Sequence, residues 1–251
     1  MLVLITGATS GIGKSTATLF AKSGYNLILT GRRQERLAEI KSELETNYKV
    51  NVTTLCFDIR NQSEVENSIN SLPHELKKID ILINNAGLAA GLAPIQNGNL
   101  SHWEQMIDTN IKGLLYITKL VSNLMIENKN GHIINIGSIA GKEVYPNGNV
   151  YCASKFAVDA LNRAMRIDLL PYNIKVTSIN PGMVETEFSI VRFDGDEARA
   201  KKAYEGLQPL KPEDIAETIF WVANRPAHVN INDIVIMPTA QATPTISIRK
   251  N

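Results

Sequence analysis

Short apolar runs alternate with stretches of helical periodicity along the whole chain. The runs "LVLIT" (2–6), "NLILT" (26–30), "NVTTLCF" (51–57), "IDILIN" (79–84), "HIINIG" (132–137), "IKVTSI" (174–179) and "DIVIM" (233–237) have the length of strands. Most are apolar at successive positions, as parallel strands buried on both faces are. Between them, "QERLAEIKSELE" spaces Leu37, Ile40 and Leu44 along one helical face. Ser63 with Glu66, and Ser101 with Glu104, have the three-residue spacing of a capping box at a helix start. No Ser/Gly-rich linker or low-complexity block divides the pattern, so residues 1–251 are expected to form a single domain. Strands alternating with helices predict a doubly wound α/β fold: an open parallel sheet, helices on both faces, right-handed crossovers and ligands at the strand carboxyl ends.

Composition narrows the chemistry. The 26 Lys+Arg against 25 Asp+Glu leave a net charge of +1, which supplies no broad basic field for nucleic acid or an anionic membrane. Cys56 and Cys152 lie far apart without CxxC spacing, and His74, His102, His132 and His228 form no metal-ligand pattern, so neither a metal nor a disulfide framework is expected. The start, "MLVLITGATSG", has no basic leader and reaches a glycine loop after a few apolar residues, too few for a signal peptide or membrane span. A cytoplasmic enzyme is the expectation.

The glycine loop carries the first candidate site. "TGATSGIG" follows the first strand and opens a helix that is expected to run to about Gly24. Gly7, Gly11 and Gly13, with Ala8, Thr9, Ser10 and Ile12 between them, suit a tight turn that brings a pyrophosphate against N–H groups at a helix N-terminus. The G-x3-G-x-G spacing departs from the general dinucleotide fingerprint, so its position between strand and helix carries the reading. At the end of the second strand, where an acidic residue would favour a ribose hydroxyl, the chain has "TGRRQER". Arg32 and Arg33 offer donor forks suited to a 2′-phosphate, which points to NADP; the plain alternative is pairing with Glu35. Asp58 and Ile59 after the third strand fall at the expected adenine edge. After the fourth, Asn84, Asn85, Ala86 and Gly87 ("NNAG") fall near the expected ribose.

Tyr151 and Lys155 stand four residues apart in "NVYCASKFAVDAL", on one face of an expected helix. A free phenol, with a pKa of about 10, is a poor base near neutrality. An ammonium about 4 Å away would interact with the phenolate by roughly 4 kcal/mol at an effective dielectric near 20, comparable to about three pKa units. Ser138 follows the fifth strand and is expected at the same sheet edge, where its hydroxyl can hold a substrate oxygen. Asn110 lies inside a helical stretch to which asparagine is poorly suited.

Taken in order, TGATSGIG, NNAG, Asn110, Ser138, Tyr151-x3-Lys155 and "PGMVETEF" resemble the pattern of the short-chain dehydrogenase/reductases over almost the whole chain. The resemblance implies a Rossmann-type sheet of seven parallel strands, a nicotinamide cofactor and a catalytic tetrad of Asn110, Ser138, Tyr151 and Lys155. In it, Lys155 binds the nicotinamide ribose and Asn110 orients a proton-carrying water. Pro181, Gly182, Val184 and Thr186 shape a carboxamide pocket, and a substrate lid covers about 186–212. "GRRQERL", "NNAGLAAGLAP", "GHIINIGSIAG", "TEFSIVRFDGD", "PAHVNIN" and "VIMPTAQ" resemble the NADP-dependent 3-hydroxy acid (serine or L-allo-threonine) dehydrogenases. That subgroup implies oxidation at C3 of a 3-hydroxy acid, loss of CO2 from the 2-amino-3-keto product, and a homotetramer. Arg192, flanked by Val191 and Phe193, is the candidate for a substrate carboxylate. The competing readings are a carbonyl or 3-oxoacyl reductase using the same residues, and a non-catalytic NADP-binding sensor.

Overall fold

The structure, a computed structural model, describes residues 1–250. In chain order its elements are β1 (Leu2–Ile5), α1 (Gly11–Lys22), β2 (Asn26–Gly31), α2 (Gln34–Tyr48), β3 (Val52–Cys56), α3 (Gln62–Asn70), β4 (Ile81–Asn84), α4 (Leu100–Ile107), α5 (Leu114–Asn128), β5 (His132–Ile136), α6 (Asn149–Asp168), β6 (Lys175–Pro181), α7 (Phe188–Arg192), α8 (Glu197–Lys202), α9 (Pro212–Ala223) and β7 (Asp233–Ile236). The seven strands form one parallel sheet in the order β3-β2-β1-β4-β5-β6-β7. β1 pairs β2 on one side and β4 on the other, so connections leave in opposite directions at that point. A crevice opens there at the carboxyl ends of the two strands.

The uniformly apolar strands reflect two cores. In β1, Val3 and Ile5 enter a cluster with Phe20, Leu37 and Ile219 from α1, α2 and α9. Leu2 and Leu4 enter the opposite cluster with Val65, Val121 and Val158 from α3, α5 and α6. Successive side chains point to opposite faces, so a strand covered on both sides is apolar at most positions. Two buried polar residues, Asn84 of β4 and Asn135 of β5, are hydrogen-bonded to one another. The edge strands are the exceptions: β7 alternates exposed and half-buried residues, and β3 is buried only at Val52.

Two helix starts differ from the expected capping boxes. The caps of α3 and α4 are Asn61 and Asn99, whose side chains accept from the N–H groups of Ser63 and Glu64, and of Ser101. Asparagine caps as well as serine. Each Asn precedes the serine by two residues and holds the extended backbone that a cap needs, which moves Ser63 and Ser101 into the first turn. A wide turn of π-helix over Asp108–Gly113 joins α4 to α5 and contains Asn110; such turns are frequent at functional sites. Beyond β6 the chain makes an excursion closed at its base by Val184 and Leu210: Glu185 N–H donates to the Leu210 carbonyl and Leu210 N–H to that of Met183, both at 2.9 Å. No helix among the described residues is long and apolar enough to cross a membrane.

Candidate active site

The glycine loop lies at the crevice between β1 and β4. Gly7 and Gly11 have φ of +65° and +50°, which side-chain-bearing residues rarely adopt. A Cβ on Gly13 would stand 2.4 Å from the Gly7 carbonyl oxygen, so only glycine allows the turn to close. The loop fits a pyrophosphate: α1 has no acidic residue in its first turn, and the Ser10 side chain does not cap it. The first N–H groups of a helix have no partner within it and face an incoming anion. Ala8 is fully buried and its N–H goes to the Thr30 carbonyl, which fixes the loop to β2.

Of the two arginines read as equals from the sequence, the structure turns one into the loop. Arg33 donates from Nε and Nη2 to Thr9 Oγ1 at 3.1 and 2.8 Å, and from Nη2 to Ser10 Oγ at 2.8 Å. Its Nη1 meets Glu187 at 2.9 Å rather than Glu35, the plain alternative, and Arg36 grips the other Glu187 oxygen at 2.7 Å. Arg32 is exposed and reaches only Asp58, at 3.7 Å. Burial pushes the Asp58 carboxyl up, but the Arg60 guanidinium and N–H, with Arg32 behind them, hold it below its ordinary value. Ile59 is buried and packs toward Gly113.

"NNAG" divides its duties. Asn84, expected beside the ribose, instead points into the core, donating to Thr118 Oγ1 and Asn135 Oδ1, both at 2.9 Å. As the last residue of β4 it faces the side opposite its neighbour. Asn85 Nδ2 donates to the Thr6 and Gly7 carbonyls at 2.9 and 3.1 Å, and Ala86 N–H to Thr6 Oγ1 at 2.9 Å. These bonds hold the loops after β1 and β4 together. Gly87 is the exposed member: a Cβ there would stand 3.5 Å from Lys155 Nζ and 3.3 Å from Asn110 Oδ1.

α6 delivers Tyr151 and Lys155, both buried, to that crevice. Lys155 Nζ donates to the Ile136 carbonyl at 2.9 Å, and burial lowers its pKa to about 8. Burial pushes the Tyr151 phenol up; Arg192 and then the Ser138 hydroxyl oppose this. The expected pull of Lys155 on the phenol is not among those effects. Ser138 starts the turn after β5, where Oγ also accepts from Ala140 N–H at 3.1 Å. The Asn110 side chain is fully engaged: Oδ1 accepts from Leu88 N–H at 2.9 Å, and Nδ2 donates to the Leu88 carbonyl at 2.8 Å and Ser154 Oγ at 3.0 Å. It ties the π turn to the segment after Gly87.

The far wall comes from the excursion after β6. Pro181 is buried at the end of β6, Gly182 N–H donates to the Ile236 carbonyl, and Gln241 Oε1 accepts from Met183 N–H at 2.9 Å. Val184 anchors the base, and Thr186 packs against Gly11 while its Oγ1 accepts from Phe188 N–H at 3.1 Å. Phe188 stands edge-on to Tyr151, ring centroids 5.7 Å apart. The Arg192 guanidinium lies over Tyr151, 4.9 Å from its centroid, and over Phe188 at 5.2 Å. Its Nη2 donates to the Tyr145 hydroxyl at 2.9 Å, and its Nε is buried without a partner. Tyr151, Tyr145 and Arg192 line one side of a cavity of about 180 Å³ closed by Leu92, His102 and Trp103.

Sequence reasoning missed Tyr145, Phe188, Arg36, Glu187 and Gln241. Tyr145 and Gln241 lie in irregular segments with no period to place them. Arg36 and Glu187 are 151 residues apart, and only the fold joins them.

A parallel seven-stranded sheet with a glycine loop, and a buried Tyr-x3-Lys facing it, defines the class: the chain belongs to the short-chain dehydrogenases, whose family model matches residues 1–196. It is 48% identical to an NADP-dependent 3-hydroxy acid dehydrogenase of Salmonella typhi, with 100% of each chain covered. It is 45% identical to sulfoacetaldehyde reductase 2 of Chromohalobacter salexigens, covering 100% of this chain and 99% of that one. Among solved structures, the closed form of serine dehydrogenase complexed with NADP+ aligns at a TM-score of 0.92 and 46% identity over 100% of both chains. The similarity therefore runs through the excursion after β6 as well as the sheet.

Proposed function

We propose that the chain is an NADP-dependent dehydrogenase that oxidises the C3 hydroxyl of small 3-hydroxy acids such as L-serine, L-allo-threonine or 3-hydroxyisobutyrate. The observation that carries this reading is Arg192: a cation stacked on the tyrosine expected to act as base, with an unpartnered Nε beside the cavity. The activities of two relatives agree with it. In a 3-hydroxy acid the reacting carbon is two bonds from the carboxylate carbon; in sulfoacetaldehyde it is two bonds from the sulfonate sulfur. One cation at one distance serves both, so reduction of a small anionic aldehyde with NADPH is the second reading.

NADP, when bound, supplies the hydride acceptor or donor. The glycine loop and α1 hold its pyrophosphate, Arg33 its 2′-phosphate, and Lys155 beside Gly87 its nicotinamide ribose. Pro181, Gly182, Val184 and Thr186 shape the carboxamide side. Ser138 donates to the substrate oxygen as charge develops there. Tyr151 takes the hydroxyl proton during oxidation and returns it during reduction. Lys155 passes that proton toward a water held by the Asn110 backbone carbonyl. Residues 186–212 act as the lid, with Arg192 carrying the cation onto the substrate. Exposed Ile107, Leu115 and Phe156, near or on α4, α5 and α6, supply apolar surface for a homotetramer.

The test is the initial rate of NADP+ reduction with L-serine, L-allo-threonine, 3-hydroxyisobutyrate and an uncharged secondary alcohol, and of NADPH oxidation with sulfoacetaldehyde. Turnover of the acids but not the alcohol supports the reading. Turnover of the alcohol alone removes it.

A further inference from the structure

The lid touches the cofactor site through one carboxylate. Glu187 bridges two arginines, Oε2 on Arg33 at 2.9 Å and Oε1 on Arg36 at 2.7 Å. Arg33 is the guanidinium that also lies on Thr9 and Ser10 of the glycine loop, so the Glu187 carboxylate marks where an anion sits on this arginine pair. One residue further on, Phe188 packs against Tyr151, and Arg192 closes the same short helix over both rings. The lid is thus fastened at its root by the groups suited to a ribose phosphate and at its tip against the reacting tyrosine.

We propose that Glu187 is an internal rival of the cofactor's 2′-phosphate and a specificity-determining residue. A nucleotide bearing that phosphate takes Arg33 from Glu187, whereas one bearing a ribose hydroxyl leaves the bridge in place. This rests on the reading that Arg33 receives the 2′-phosphate. One observation and two physical arguments support it. The carboxylate and a phosphate compete for the same guanidinium donors, which bind either anion. The three side chains are each about 40% exposed, so the bridge is weak enough to exchange. A displaced Glu187 would stand beside a dianion and be repelled, which loosens the root of the lid. The kind of nucleotide bound is then sensed by the segment that carries Arg192.

The experiment is equilibrium titration of wild type and Glu187→Gln with NADPH and with NADH, followed by nicotinamide fluorescence. Glu187→Gln is expected to tighten NADPH roughly three- to fivefold, the scale of an exposed ion pair, and to leave NADH within about twofold. Unchanged or weaker NADPH binding, or an equal change for NADH, overturns the proposal. Limited trypsinolysis of wild type provides the second arm, since the lid offers Arg192, Arg199, Lys201 and Lys202. Adenosine 2′,5′-bisphosphate is expected to speed cleavage there while 5′-AMP does not; protection by the bisphosphate, or no effect, counts against it. Arg33→Ala separates the two readings. If it fails to weaken the bisphosphate, the phosphate assignment itself is wrong; if it does weaken it while Glu187→Gln changes nothing, only the rivalry falls.

Discussion

Arg192 and Tyr151 are stacked, with the guanidinium carbon 4.9 Å from the ring centroid. The contact places a cation beside the Tyr151 phenol, while a second arm of the guanidinium rests on Tyr145 and Nε remains unpaired. A group so placed can recognise an anion without displacing an existing ion pair. Loss of a charge-assisted hydrogen bond amounts to about 2–3 kcal/mol. Arg192→Ala should therefore lower kcat/KM for 3-hydroxy acids by roughly 30- to 150-fold at that energy, mostly through KM. An uncharged ketone should change by no more than about threefold, and Arg192→Lys should recover part of the loss. An equal loss on charged and uncharged substrates would assign Arg192 to packing alone.

Tyr151 is the proton carrier in the proposed reaction, and its phenol lies above its ordinary pKa because burial outweighs Arg192 and Ser138. The sign follows directly: the base form is scarce at neutrality and grows as pH rises. With NADP+ saturating, oxidation should accelerate from pH 6 upward, whereas reduction, which uses the protonated phenol, should stay flat across neutrality. Tyr151→Phe should remove at least about 10³-fold of kcat, within the span of general acid–base effects, and keep NADPH affinity within about threefold. Substantial turnover by that variant, or an oxidation rate level from pH 6 to 9, would require another base.

Much of this site is legible in the sequence because its parts follow strands. An apolar run covered on both faces cannot be mistaken for a surface segment, and Tyr151 and Lys155 fall on one helical face by spacing alone. Asn84 shows the limit: its position after β4 is visible, but the face it takes depends on the strand's register, which turns it to Asn135 and Thr118. Asn61 and Asn99 show another, since several residue types cap a helix and the local spacing fits two solutions. The Arg33–Glu187–Arg36 bridge was invisible, because charges distant in the chain pair only when the fold brings them together.

Lys155 is expected to destabilise the protein that depends on it. Burial lowers its pKa from 10.5 to about 8, so at pH 7 the folded state holds a charge it disfavours. At 1.36 kcal/mol per unit this penalty is roughly 3 kcal/mol. The folded pKa is below the unfolded one, so between about 8 and 10.5 the unfolded chain binds more protons, and this group's contribution to stability rises with pH. Lys155→Met loses the bond to the Ile136 carbonyl and also removes the charge. The net gain should be about 1–2 kcal/mol, a rise of roughly 2–8 °C in Tm, together with loss of activity. A lower Tm at pH 7, measured by calorimetry without nucleotide, would show that the hydrogen bond outweighs the charge.

Arg32 and Arg33 are adjacent and chemically identical, so a difference between them tests the structure rather than the composition. Arg33 lies on Thr9 and Ser10, beside the loop suited to the pyrophosphate, whereas Arg32 is exposed and 3.7 Å from Asp58. A guanidinium held against the loop meets a 2′-phosphate with its donors already oriented; a solvated one must first be immobilised. Arg33→Ala should weaken NADPH more than tenfold and NADH less than threefold, on the scale of one charge-assisted contact. Arg32→Ala should weaken NADPH by no more than about threefold, as an exposed charge does. Equal losses from the two single variants would mean that a mobile cationic patch, and not the oriented Arg33 fork, selects the phosphorylated cofactor.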